Sequence, residues 1–483
     1  MENKTMFTDF YEITMSESYF DEGLQDKVVV FDVFFRKNPF EGGYTICGGL
    51  DEIIDYFKNF EITDEDIEFL RSLGVFTDRH LEYLKNLKFT GDVYAIPDGT
   101  PVFPNEPVIT IKAKAIEAQF IETALLVNFN HASLVTTKTK RITNEAKGRP
   151  VSDFGARRGR GSDSSTEASK YAFIGGVTST SNTLAGRKYG LPLSGTMAHS
   201  YMEMFPSEYE AFKAYARTFP NNSVFLVDTY NVLKSGIPNA IRVHKEFLEP
   251  NGHRLKAIRI DSGDLAYLSK EARRMLDEAG MEDVKICLSN GLDEYTVSSL
   301  INQGACVDTF GIGDNIIASN DRLGGVYKLV SVQENDEFIP KIKVSEDSIK
   351  TINPGFKKVY RFYDKETGYA LGDVVALHDE EISRQEYTLI NPNHNEKRKA
   401  ITDYVVRELQ VPIFLNGTLV YENPSLKERQ AYCEKEFKTL YPEITRLLNP
   451  HGYYVDLSEK LLGLKKDMIE EMSQKDFTRV LSK

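Results

Sequence analysis

The sequence predicts an α/β chain organised around a (β/α) barrel, and three observations carry that prediction. Short apolar runs recur, beginning near Val151, Ile174, Leu193, Val224, Ala257, Val284, Val307 and Val326. Each ends in a polar, Gly-containing loop and is usually followed by a helix-like stretch, in steps close to those of βα units in a parallel sheet. Residues 264–280 read as the clearest helix: Leu265, Leu268, Ala272, Met275, Leu276 and Ala279 share one face, Asp264 caps the start and Gly280 the end. About eight such units make an irregular (β/α) TIM-like barrel, with a doubly wound open sheet as the alternative.

In chain order, residues 1–120 mix strand-like runs with short helices. Residues 26–36 alternate weakly around Val-Val-Val-Phe-Asp-Val-Phe-Phe and read as a strand. Thr63 is placed to cap a helix that Gly74 can close. Residues 91–110, rich in Pro and β-branched side chains, read as turn-linked strand. Residues 121–335 hold the barrel units. Residues 336–483 are more charged: 341–361 read as strand, loop and strand around Asn353-Pro354-Gly355, and the tail beyond Pro424 as mostly amphipathic helix.

Composition excludes several classes of function. A formal net charge of −13 argues against broad binding to nucleic acid or an anionic membrane, so an anionic ligand must be held by local basic loops. The cysteines Cys47, Cys287, Cys306 and Cys433 form no CxxC pair, which fits a reducing cytoplasm rather than a zinc site or disulfide framework. The first residues form no signal-type apolar stretch and the apolar runs are strand-length, so neither a leader nor a membrane span is expected.

The chemistry is concentrated at the predicted strand ends, where a parallel barrel keeps its active groups. The first loop, Ser152-Asp153-Phe154-Gly155-Ala156-Arg157-Arg158-Gly159-Arg160-Gly161, brings arginine forks suited to phosphate and a flat Phe154 face suited to a ring; a solvated basic loop is the plainer alternative. Thr178-Ser179-Thr180-Ser181-Asn182-Thr183 either caps the next helix or binds a carboxylate at its start. Gly195-Thr196-Met197-Ala198-His199-Ser200 offers an imidazole able to act as acid, base or nucleophile, or a structural histidine. Asp228, in Val227-Asp228-Thr229-Tyr230, either binds ribose hydroxyls or caps a turn. Arg259 and Asp261, two apart on a strand, share a face and make a joint contact plausible. Carboxylates there accept ribose hydroxyls or hold Mg²⁺ through its waters, while Asp264 fits a helix cap better. Ser289-Asn290-Gly291 and Phe310-Gly311-Ile312-Gly313-Asp314-Asn315 close the series; the second is like phosphate-binding turns late in barrels.

Taken together, these loops resemble those of the nicotinate phosphoribosyltransferase family, within the type II phosphoribosyltransferases. Thr8-Asp9-Phe10-Tyr11, Asp153-Phe154-Gly155 with its arginines, Gly195 through Ser200, Val227 through Tyr230, Arg259-Ile260-Asp261-Ser262-Gly263-Asp264, Gly311-Ile312-Gly313 and Asn353-Pro354-Gly355…Val359-Tyr360-Arg361 carry the resemblance. It implies an α/β sandwich domain, built from the first region and later chain, packed against the irregular barrel. It implies a homodimer with shared sites, Tyr11 of one chain reaching the site of the other. The implied reaction joins nicotinate to 5-phosphoribosyl 1-diphosphate, giving nicotinate mononucleotide and diphosphate. ATP hydrolysis is coupled to it through a transient phosphohistidine, and Mg²⁺ accompanies the phosphates without a dedicated protein site.

By the same resemblance, His199 is the phosphorylated residue, and Tyr11, Thr196 and Arg259 match nicotinate contacts. Arg157 matches a phosphate-binding arginine of the related nicotinamide enzymes, and Asp261 their ribose contact. The turn from Gly311 to Gly313 matches a phosphoribosyl-binding loop, but Asp314 stands where some relatives have Thr, and an acid beside phosphate needs Mg²⁺ or distance. Nicotinamide enzymes carry Asp in the segment matching residues 180–186, where this chain has Asn182; a neutral amide donates to a carboxylate that Asp would repel. Two further readings stand beside this one. A catalytically silent relative would bind nucleotide or phosphate as a sensor. An aldolase-like barrel enzyme fits the fold but lacks an evident Schiff-base lysine at a strand end.

Overall fold

The computed structural model describes residues 3–343, 351–383, 385–390 and 398–481. The chain is mixed α/β and divides into two compact units, one of residues 1–134 with 321–483 and one of residues 135–320.

The first unit is built on a seven-stranded sheet. Its strand Val28–Phe35 is β-branched and aromatic and pairs antiparallel with Gly325–Glu334 on one side and Ile109–Lys114 on the other. A strand covered on both sides buries whatever it carries, so Asp32 in its middle needs partners. It receives the Lys357 ammonium at 2.9 Å and the Thr110 hydroxyl at 2.7 Å. A four-stranded sheet includes Lys357–Asp364 and Ala370–Leu377, joined across their register by the buried Arg361–Asp373 pair, with bonds of 2.8 and 2.6 Å. The expected strand at 26–36 is Val28–Phe35, and the expected helix after Thr63 is Asp64–Ser72, closed at its start by a Thr63–Asp66 capping box. Of the strand–loop–strand expected over 341–361, residues 344–350 lie outside the described residues. The tail carries the helices Leu426–Phe437 and Glu459–Leu481, with the strand Val455–Leu457 between them.

The second unit contains a six-stranded sheet of Val151–Asp153, Ser179–Thr180, Val224–Leu226, Ala257–Ile260, Lys285–Ser289 and Thr309–Ile312. Every pairing is parallel. The spatial order runs from the Ser179 strand through the Val151, Thr309, Lys285 and Ala257 strands to the Val224 strand. That is the cyclic order of a barrel cut once, between the second and third strands in sequence. Among the described residues no pairing crosses the cut; only a parallel bridge from Thr180 to Leu193 extends the sheet toward it.

Three of the eight expected strand starts are corrected. Leu193 opens no strand and contributes only the isolated bridge to Thr180, so the parallel sheet has six strands. Ile174 ends the helix Ser162–Ile174, and the strand begins at Ser179. Val326 belongs to Gly325–Glu334, an antiparallel strand of the first unit. The helix expected at 264–280 spans Leu265–Glu278, with the Asp264 side chain accepting from the Tyr267 N–H at 3.0 Å. Phe212 stacks on Phe225 with centroids 4.5 Å apart, seating the helix Glu208–Thr218 against the Val224 strand.

Candidate active site

The loops after the six strands form the candidate site, and a buried carboxylate organises the first of them. Asp153 ends its strand with no solvent exposure. It accepts from the Gly155 N–H at 2.8 Å, the Ser169 hydroxyl at 2.8 Å and the Thr180 hydroxyl at 2.7 Å. Burial raises the carboxyl above its ordinary range, and these donors oppose that by favouring the charged form. Asp153 thereby ties the Phe154 loop, the following helix and the Thr180 loop into one scaffold.

Phe154 follows, its N–H bonded to the Ile312 carbonyl at 2.8 Å. Its ring lies against the backbone of Gly311: a Cβ there would come within 2.3 Å of ring carbon Cε2. The Arg259 guanidinium carbon sits 5.1 Å from the ring centroid, inside cation–π range.

Arg259 is the most heavily held side chain of the site. Its Nε donates to the Ser289 hydroxyl at 2.8 Å, Nη1 to the Thr196 hydroxyl at 3.1 Å and Nη2 to Asp261 Oδ1 at 2.7 Å. A guanidinium has five N–H donors, so two have no partner among the described residues. Arg259 keeps 16% side-chain exposure and Asp261 29%, which leaves both reachable from solvent. The result is a fixed cation, two open donors and an aromatic plane. That combination suits a planar anion.

Asp228 is almost wholly buried, and its Oδ2 accepts from the Asp261 N–H at 3.1 Å and the Ser262 hydroxyl at 2.5 Å. Its Oδ1 is buried without a hydrogen-bond partner among the described residues. An unbonded buried carboxylate oxygen is costly, and a ligand hydroxyl or hydrated cation would satisfy it. Beside it, Thr229 Oγ1 lies 3.1 Å from His199 Nδ1. His199 opens the short helix His199–Glu203, is partly exposed, and has no partner at Nε2 among the described residues.

Asn182 caps the helix Thr183–Tyr189: its Oδ1 accepts from the Ala185 N–H at 3.1 Å. That bond fixes the orientation of the amide and leaves Nδ2, a pure donor, without a partner among the described residues. The capping reading of this loop is therefore the one observed, and it leaves a donor free.

The Gly311-Ile312-Gly313 turn packs back to back with the Phe154 loop; a Cβ on Gly155 would lie 2.6 Å from the Gly313 carbonyl oxygen. Asp314 pairs with Arg158, Nε to Oδ1 at 2.9 Å, both about half exposed. The acid that looked misplaced beside a phosphate loop thus carries its own cation. Arg157 is exposed and makes no ion pair among the described residues.

The structure brings Phe154, Thr196, His199, Asp228, Arg259, Asp261, Gly311 and Gly313 into one linked network, with Asn182 joined to it through Thr180 and Asp153. Tyr11 belongs to the other unit, on the helix Phe10–Asp21, and its ring is half exposed. Sequence reasoning missed Asp153, Ser289 and Arg158 as organisers. All three stood inside loops already singled out, but no local spacing links Arg158 to Asp314 or Ser289 to Arg259.

Comparisons with known proteins agree across the chain. Models of the nicotinate phosphoribosyltransferase N-terminal domain, family and C-terminal domain match residues 6–130, 150–380 and 356–465. A nicotinate phosphoribosyltransferase of Bacillus subtilis is 41% identical over 476 residues, covering 98% of this chain and 96% of the relative. One from Homo sapiens is 32% identical, covering 95% and 96%. The crystal structure of human nicotinic acid phosphoribosyltransferase superposes with a TM-score of 0.84 at 30% identity, over 96% of this chain and 99% of that one. A Pyrococcus furiosus nicotinate-nucleotide pyrophosphorylase shares the fold, with a TM-score of 0.70 at 24% identity.

Proposed function

The chain belongs to the nicotinate phosphoribosyltransferase family and is an enzyme of that family, and from this premise we propose how its site works. It joins nicotinate to 5-phosphoribosyl 1-diphosphate, releasing diphosphate, with ATP hydrolysis coupled through phosphorylation of His199. The observation that carries the reading is the Arg259 fork, locked by three hydrogen bonds over the Phe154 ring with two donors open. A planar aromatic carboxylate answers both features: the ring lies on Phe154, and the carboxylate takes charge-assisted bonds from Arg259. Thr196 lies beside it, and Tyr11 of the partner subunit supplies the second aromatic face in a homodimer.

Asp261 has Oδ2 turned to the ribose, and Asp228 offers Oδ1 to the same sugar. As the bond to diphosphate breaks, the sugar gains positive character, which these carboxylates favour. The departing anion is met by Arg157, by Arg158 as steered by Asp314, and by the backbone of Gly311 and Gly313. Mg²⁺ would come with the substrate phosphates and neutralise part of their charge, with Asp228 and Asp261 left to the sugar. The test is direct: purified protein is given nicotinate or nicotinamide with the phosphoribosyl donor, with and without ATP. Nicotinate mononucleotide, made faster with ATP, is the expected product. No mononucleotide under any condition sinks the reading and leaves a phosphate-binding relative without catalysis.

Two substitutions probe the base pocket. Asn182→Asp keeps the helix cap, because Asp also caps well, but presents an outward acceptor in place of a donor. The nicotinate KM is expected to rise about tenfold or more, one hydrogen bond to a charged group being worth roughly 1.5–3 kcal/mol, with melting temperature unchanged. Equal KM values for nicotinate in both proteins would remove Asn182 from the pocket. Gly311→Ala pushes the Phe154 ring aside and is expected to raise the nicotinate KM by about tenfold, overpacking of this kind costing about 1–3 kcal/mol. Unaltered nicotinate binding, measured by calorimetry, would show that the ring is not its platform.

A further inference from the structure

We propose that Ser289 is a positioning residue that sets the base-binding arginine and the ribose-facing carboxylate with a single hydroxyl; the proposal rests on the roles given to Arg259 and Asp261 above. Ser289 ends the strand Lys285–Ser289, which lies between Ala257–Ile260 and Thr309–Ile312, and it pairs in register with Gly311. It is 2% exposed. Its Oγ accepts the Arg259 Nε–H at 2.8 Å and donates its own proton to Asp261 Oδ1. A hydroxyl has one proton to give, so the acceptor for that proton is fully specified here.

The consequence is directional. Nε is the one guanidinium nitrogen on the side-chain axis, and bonding it stops rotation of the fork about its stem. The two open donors then point one way. On the other side, the Ser289 proton and Arg259 Nη2 converge on Asp261 Oδ1, so the carboxylate is pinned by one oxygen and Oδ2 has no partner among the described residues. One side chain thus fixes the angle between the base-binding and sugar-binding groups. Small errors in that angle are expensive, since a displacement of about 1 Å can cost on the order of a hundredfold in rate. Ser289 itself meets neither substrate, being buried beneath the pair.

Loss of the hydroxyl should spare the fold, because Arg259 and Asp261 retain their mutual bond and both are reached by water. Ser289→Ala is expected to raise the KM for nicotinate and for the phosphoribosyl donor together, each about tenfold, with an unchanged melting temperature. Ser289→Cys keeps the volume but replaces the hydroxyl by a weak donor, so it should behave like Ala. Wild-type kinetics in the Cys variant would assign the residue to packing and overturn the proposal. The decisive measurement is a double-mutant cycle with Arg259→Lys, which has no Nε–H to accept. Ser289→Ala should then add little to the effect of Arg259→Lys on the nicotinate KM, and fully additive losses would overturn the inference. If Arg259→Lys alone leaves that KM unchanged, the assignment of Arg259 fails and takes the proposal with it. If Arg259→Lys is impaired and Ser289→Ala is not, only the role of Ser289 fails.

Discussion

Replacing His199 by Asn is expected to abolish the phosphoenzyme and the stimulation by ATP while leaving some ATP-independent synthesis. The geometry gives the reason. Nδ1 is engaged by Thr229 at 3.1 Å, and Nε2 has no partner among the described residues, so one ring nitrogen is oriented and the other presented. Asn can occupy the start of the short helix and keep a polar contact to Thr229, but it offers no nucleophilic nitrogen. Phosphorylation would place close to two negative charges on the ring, changing which arrangement of the loops is favoured. A coupling of that kind is typically worth about 1–3 kcal/mol, so ATP stimulation on the order of 5–150-fold should vanish. The check is label transferred from γ-³²P-ATP to protein, followed beside turnover with and without ATP. Full ATP coupling in the Asn variant would show that the histidine is misassigned.

Arg259→Leu should be the most damaging change at the base pocket. Leucine retains apolar contact with the Phe154 ring but removes the charge and all the donors. It also strands Asp261, whose carboxylate would face the substrate's anions with only Ser289 to balance it. Removing one preorganised donor from an active site costs about a hundred- to a thousandfold, and here the counter-charge goes as well. A fall in kcat/KM for nicotinate on the order of a thousandfold is expected. Because Arg259 is only partly buried, the fold should persist, with a lower melting temperature. A loss smaller than tenfold would mean that nicotinate is held elsewhere.

The legible parts of the sequence were those whose signal is local. The helix Leu265–Glu278 announced itself through its apolar face and the Asp264 cap. The strand ends could be read because each apolar run stops at a polar loop. The failures have physical causes. The end of the helix Ser162–Ile174 is buried at every position from 171 to 174, and a helix buried all round reads like a strand. Val326 starts a real strand, but an apolar run does not say which sheet it joins. In the site, residue types were readable and pairings were not. Arg158 meets Asp314, and Ser289 joins Arg259 to Asp261, across separations that only the folded sheet closes. Asn182 was read both as a cap and as a ligand group, and the structure shows the cap, made through Oδ1.

The cut in the parallel sheet has a mechanical meaning. Between the Thr180–Leu193 bridge and the Val224 strand there are no backbone rungs among the described residues, and the chain crossing that interval carries Thr196 and His199. What spans it are two side-chain links, Arg259 to Thr196 and Thr229 to His199. Side chains, not backbone pairing, therefore reach across the open edge of this sheet. A molecule that competed for those links would therefore act on an interval of the sheet that no backbone rung holds among the described residues.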